Sequence, residues 1–157
     1  MKAFGKEATV DVLSEVVILR PRLVVAAFAS DPDNAPLWYV NIKSVEWRTP
    51  KLLVVGSRIA FVATFLGRVL TYTYEITDLI PGERLVMQTA EGPFPMETSY
   101  TWATVSGDRT HMTLRNCGNP HGFLSLAAPF MAAAVRRANR KDLAKLRRVL
   151  EGVDQHR

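Results

Sequence analysis

The side chains whose type and spacing best suit chemistry are aromatic ones with a polar tip. Tyr72 and Tyr74 stand two apart in one alternating run, Tyr100 and Trp102 in another, and Met112 and Asn116 share the phase of a third. Alternate residues of a strand share a face. With Phe61 and Phe65 from a fourth run, these residues would therefore form one inner surface. Such a set has two readings. It is a filled core in which each phenol and the indole N–H find local partners, or it is a pocket wall, apolar with a few polar groups that orient a small molecule. Periodicity alone favours the filled core.

Other chemistries are poorly supplied. His111, His121 and His156 lack metal-ligand spacing and Cys117 is the single cysteine, so neither a metal site nor an internal disulfide is expected. There is no Gly-rich phosphate loop, no Gly-x-Ser-x-Gly elbow and no His-Glu-x-x-His, and no cofactor is expected. His121 precedes the last helix, where it is either a general acid–base near the pocket or a surface loop histidine. Glu91, just before Gly92-Pro93, is either a carboxylate at the inner rim or a solvated loop residue. Asp31 and Asp33 suit turn and cap chemistry. Trp38, Glu91, Phe94 and His121 are the rim candidates, with Tyr39 and Trp47 nearby; Trp38 also reads as packing a short helix onto the sheet edge.

The elements that must position these residues follow from pattern. Residues 9–20 read as a strand, and Pro21 suits the first turn of a short helix through Phe28. Ser30–Asn34 breaks the chain, and Asp33 or Asn34 is expected to cap a second short helix through Trp38. Strands follow at 40–47, 57–65, 68–77, 83–89, 96–105 and 109–117. They are joined by Leu66-Gly67, by the type II turn signal Pro81-Gly82, by Gly92–Pro95 and by Ser106-Gly107-Asp108. From about Phe123 the period becomes helical, with Phe130, Met131, Ala134, Val135, Ala138, Leu143, Leu146 and Leu150 on the apolar stripe. Ser125 would cap that helix; a start near Gly122 with a kink at Pro129 is the alternative. Short turns force antiparallel neighbours. The economical burial lays the long helix across the concave face of the sheet. The expected class is α+β: a curved antiparallel sheet of six to seven strands around a long C-terminal helix, with two short helices between strands 1 and 2.

At 157 residues the chain fits one domain. It shows no apolar run of membrane-spanning length and no signal-like start, so a cytoplasmic location is the default expectation. The net charge is +5, and all of the excess lies in residues 121–157, with eight basic and three acidic residues. Arg137, Lys141, Lys145 and Arg148 fall on one helical stripe, as do Arg136, Arg140 and Arg147. The stripe is a solvated outer face, or else a contact for nucleic acid, the ribosome or an anionic membrane.

Several stretches resemble a known family. They are Ser30-Asp31-Pro32-Asp33-Asn34-Ala35-Pro36-Leu37-Trp38, Tyr74–Leu85 with its Pro81-Gly82 turn, Ser99-Tyr100-Thr101-Trp102 with Asp108-Arg109-Thr110, and Gly122-Phe123 with the Ala- and Arg-rich helix through Leu146. Together they resemble the START-related helix-grip (SRPBCC) superfamily, in its bacterial polyketide cyclase/dehydratase-like branch. The resemblance spans nearly the whole chain, and it rests on turns and caps, which specify fold better than function. It implies a cavity between sheet and helix, walled by Phe61, Tyr72, Tyr74, Tyr100, Trp102, Met112 and Asn116, with Phe130 and Ala134 from the helix. It implies a carrier or sensor of a small hydrophobic or amphipathic molecule of lipid, polyketide or isoprenoid type. The alternatives are a cyclase/dehydratase-like enzyme working without metal or nucleotide, and an interaction protein using the basic helix face.

Overall fold

A computed structural model of the chain describes residues 10–65, 67–92, 95–119 and 128–152. Strand β1 (Val10–Ile18) leads through Pro21 into helix α1 (Arg22–Ser30). A 3-10 turn (Pro32–Asn34) and the one-turn helix α2 (Ala35–Trp38) follow. Six strands come next: β2 (Ile42–Trp47), β3 (Arg58–Phe65), β4 (Arg68–Ile80), β5 (Arg84–Glu91), β6 (Met96–Ser106) and β7 (Arg109–Gly118). Helix α3 (Ala128–Glu151) closes the described chain. Its 24 residues make it about 36 Å long.

The seven strands form one antiparallel sheet in the order β1-β7-β6-β5-β4-β3-β2. Every neighbour from β2 to β7 is a hairpin partner, whereas β1 crosses to pair with β7, Val10 opposite Gly118 and Ile18 opposite Thr110. The short strand β2 lies on one edge of the sheet, opposite β1, with a register shift between Ile42 and Ser44 and with Lys43 and Glu46 exposed. The Pro81-Gly82 turn has the expected form: Glu83 N–H donates to Ile80 C=O at 2.9 Å and Gly82 has φ of 80°. A side chain at 82 would also strike Leu23, since a Cβ there would stand 2.7 Å from Leu23 Cδ2. Gly67 likewise takes φ of 77° between the paired residues Phe65 and Arg68.

The structure differs from expectation in the capping after α1 and in the length of β4. Asp31 caps the 3-10 turn, its Oδ1 accepting from Asp33 N–H at 3.0 Å, whereas Asn34 stands at the N-cap of α2 but makes no side-chain cap bond, its amide donating instead to Phe28 C=O at 3.2 Å. Strand β4 runs on past Thr77 to Ile80, because a register shift between Ile76 and Asp78 breaks the alternation without ending the strand. The start of α3 expected at Ser125, or at Gly122, lies outside the described residues, and Pro129 falls in the first described turn.

Side chains divide the inner face into two halves. Trp102, Met112 and Leu114 are buried in one core cluster with Ile18, Val25, Leu143, Leu146 and Leu150, which fill the space beneath the C-terminal half of α3. Farther back along α3 the inward positions are Val135, Ala138, Asn139 and Asp142. These are shorter or polar side chains, and they do not fill the space above the sheet. Two hydrogen bonds tie the end of α3 to β1's exit: Leu19 N–H to Glu151 Oε2 at 3.0 Å and Arg20 Nη1 to Leu150 C=O at 2.8 Å.

Candidate ligand-binding cavity

The unfilled half is a cavity of about 160 Å³. Its floor is the sheet: Phe61 and Ala63 from β3, Tyr72 and Tyr74 from β4, Met87 from β5, Met96, Thr98 and Tyr100 from β6, and Asn116 from β7. Its roof is α3, through Val135, Ala138, Asn139 and Asp142, and its side is the segment after α2, through Tyr39, Asn41 and Ile42. Antiparallel register brings these groups together. Phe61 faces Tyr72, Tyr100 faces Leu114 and Thr98 faces Asn116 across adjacent strands.

The polar tips are organised. Thr98 Oγ1 donates to Asn116 Oδ1 at 2.8 Å, and the Tyr74 phenol also bonds to Thr98. The Tyr39 and Tyr100 hydroxyls bond to each other. Asp142 Oδ1 accepts the Val40 backbone N–H at 2.9 Å, which fastens α3 to the α2–β2 segment. Burial dominates the electrostatics. It pushes the Tyr74 phenol up to about 12 and raises those of Tyr39 and Tyr100 well above the ordinary phenol value, so all three are neutral donors at physiological pH. Burial also raises the Asp142 carboxyl to about 6, against the opposing pull of the Val40 N–H and of Lys145. Asn139 is 4% exposed, and its Nδ2 is buried with no partner among the described residues.

Five of the sequence candidates stand on this wall: Phe61, Tyr72, Tyr74, Tyr100 and Asn116. Trp102 and Met112 share its face but lie in the filled half. Phe130 is 78% exposed. Ala128 and Met131 take the inward positions of that first turn, and a residue directly before Met131 is rotated about 100° away. Ala134 lines an outer groove with Val40, Arg137 and Lys141, beside the cavity mouth. Among the rim candidates, Trp38 is fully buried and packs its ring on Tyr39 and Tyr100. Glu91 is exposed at the end of β5, and Phe94, His121 and the side chain of Phe65 lie outside the described residues. His111 pairs with Glu15 at 2.8 Å on the outer face. Cys117 is buried, and burial pushes its thiol up to about 11, far from a nucleophile's range. On the basic stripe, Arg137 and Lys141 are exposed, Lys145 is half-buried, and Arg147 pairs with Glu151 at 3.2 Å.

Sequence reasoning misses Tyr39, which it leaves near the rim, and it misses Asn139 and Asp142 altogether. The signal for the last two is present. Position 139 lies four after Val135 and four before Leu143, and 142 lies four after Ala138 and four before Leu146. Both are therefore polar residues on the apolar stripe of a helix.

A curled antiparallel sheet closed over one long helix, with two short helices after the first strand, defines the helix-grip class. The match extends to the family level: residues 9–151 fit the model of the polyketide cyclase/dehydrase and lipid transport family. The chain belongs to that family. Among solved structures it is similar to TTHA0849 from Thermus thermophilus, with a TM-score of 0.77, 20% identity, and coverage of 90% of this chain and 98% of that one. It is also similar to the Zhui aromatase/cyclase from Streptomyces sp. R1128 (TM-score 0.74, 19% identity, 88% and 94% coverage). A START superfamily protein from Mycobacterium smegmatis is a third (TM-score 0.76, 12% identity, 91% and 98% coverage). No curated protein matches the chain. No helix among the described residues is long and apolar enough to cross a membrane.

Proposed function

We propose that the chain binds a small, mostly apolar molecule in the cavity between sheet and α3, as a carrier or sensor. The observation that carries this reading is the half-filled inner face: aromatic and methionine side chains line a space of about 160 Å³ that short α3 side chains leave open. A hollow of roughly 150 Å³ is enough to take up a benzene-sized molecule. Pockets for drug-sized ligands are usually about 300–1,000 Å³. The described cavity therefore suits a single ring, or the end of a longer chain.

Native mass spectrometry of the purified chain, beside a denatured extract, tests this reading. A small apolar species that travels with the wild type and is lost from Ala138→Phe, with the fold intact by circular dichroism, is the expected result. An empty wild-type protein whose melting temperature no single-ring hydrocarbon raises would sink it. A cyclase-like reading has its own support in Asp142, because a carboxyl raised to about 6 beside two phenols could exchange a proton near neutral pH. Turnover of a β-carbonyl chain that Asp142→Asn abolishes, with binding retained, would favour that reading.

A further inference from the structure

We propose that the cavity selects a compact organic cation, a primary ammonium on a ring-sized apolar body, and that Asp142 is its counter-ion. This rests on the cavity being a binding site and adds the charge and chemistry of its occupant.

Three features of the wall converge on a cation. The first is an open carboxylate oxygen. Asp142 is 3% exposed and lines the roof. Its Oδ1 accepts from Val40 N–H. Its Oδ2 takes no hydrogen bond from the described residues, and it is not among the sealed, unpartnered atoms of the core, as Asn139 Nδ2 is. No ion pair among the described residues includes Asp142, and Lys145 pulls on it without lining the cavity. A buried carboxylate with an oxygen to spare gains most from a charged donor, whose hydrogen bonds are shorter and stronger than neutral ones.

The second is a surplus of acceptors beside it. The charge of Asp142 reaches the phenols of both Tyr39 and Tyr100, whose hydroxyls spend one bond on each other. That pair keeps more free lone pairs than O–H groups. An ammonium brings three N–H donors and no acceptor, so it can bond Oδ2 and still serve the phenol oxygens. The Asn116 amide adds N–H groups on the floor, but these are neutral and do not offset the carboxylate's charge.

The third is the aromatic lining. Tyr39, Phe61, Tyr72, Tyr74 and Tyr100 bring their rings to the wall, and among the described residues no Lys, Arg or His lines it. Phe61 and Tyr74 stand 5.9 Å apart at 70°, and Tyr72 and Tyr74 stand 6.1 Å apart at 35°, so the rings do not lie in one plane. Ring faces attract a cation, more strongly where water is excluded. An anion inside would meet Asp142 with no counter-charge on the wall. A neutral molecule would gain the apolar contacts but leave the carboxylate's charge uncompensated.

The test is calorimetric titration of the full chain at about pH 7.5 with benzylamine, its neutral isosteres ethylbenzene and benzyl alcohol, and benzoate. Benzylamine is expected to bind about tenfold or more tightly than either neutral isostere, and benzoate the most weakly. In Asp142→Asn, which keeps the shape and removes the charge, that preference should vanish while ethylbenzene still binds. In the wild type, lowering the pH to about 5 should weaken benzylamine about tenfold and leave ethylbenzene unchanged, because the Asp142 carboxyl takes up its proton at about 6. The other groups facing Asp142 are Lys145 and the phenols of Tyr39 and Tyr100, with Arg137 and Lys141 in the adjoining groove. Residues of those types do not ordinarily change charge in that range. Ethylbenzene or benzyl alcohol binding as tightly as benzylamine, or benzoate binding most tightly, overturns the inference and leaves the cavity as a binding site. A benzylamine preference that survives Asp142→Asn overturns it as well. Failure of all four probes to bind takes down the binding reading itself.

Discussion

Trp38→Ala is expected to cost about 3–5 kcal/mol of folding stability, the range for deleting a large buried aromatic side chain, and to weaken ligand binding as well. Trp38 is fully buried. It holds the one-turn helix α2 against the sheet, with ring centroids 4.0 Å from Tyr39 and 5.9 Å from Tyr100. Those are the two phenols that bond at the cavity's side, so the same ring supports the core and fixes the cavity wall. Trp38→Phe should be far milder. The indole Nε1 has no partner among the described residues, so its loss removes a buried unpaired donor while most of the ring packing stays. Urea unfolding of the wild type and both variants gives the comparison. Equal losses for the two substitutions would show that the indole N–H, not the packed volume, is what matters at this position.

Asp142→Asn is expected to stabilise the protein by about 3 kcal/mol at neutral pH relative to its effect in acid. The folded carboxyl titrates at about 6 against an ordinary value of 3.8. Between those two values the folded state holds a proton that the unfolded state has lost. The wild type therefore loses stability as pH rises through that window, and its buried carboxylate remains a cost above it. Burial is the cause, with the Val40 N–H and Lys145 offsetting part of it. Asparagine does not titrate and keeps an oxygen for Val40 N–H, which the carboxylate accepts at 2.9 Å. Denaturation curves for both proteins across the window should diverge as pH rises and run parallel above it. The Asp11–Arg115 pair, which holds its own carboxyl low, titrates alike in both proteins and cancels. Stability curves that stay parallel throughout would mean that Asp142 is solvated in the folded protein. A native state that keeps this costly carboxylate at physiological pH is consistent with a residue retained for the cavity rather than for stability.

The architecture is legible in the sequence because its rules are local. Alternation marks each strand, and Pro81-Gly82, Gly67 and Gly107 mark turns that require positive φ. The 3.6-residue stripe marks α3. The cavity is only half legible. Faces can be assigned, but Trp102 and Thr98 share a face and a strand, and nothing along β6 says that one lies under leucines and the other under a void. That division is set by α3, where Leu143, Leu146 and Leu150 give way to Ala138, Asn139 and Asp142. A count of apolar residues passes over polar ones on the stripe, and at 139 and 142 those are the site's most distinctive groups. Phe130 misleads for the converse reason. An aromatic residue in a helical run looks like core, but the first turn of α3 already places Ala128 and Met131 at its inward positions.

The β2 rim of the sheet has a consequence for the protein in crowded solution. A half-barrel that does not close leaves β2 with unpaired backbone groups, a template on which another chain's strand could grow. Here that strand has only six residues, exposes Lys43 and Glu46, and slips register between Ile42 and Ser44. A short, charged and kinked rim pairs badly with a foreign strand. The fold can thus stay open on this side without seeding edge-to-edge polymers.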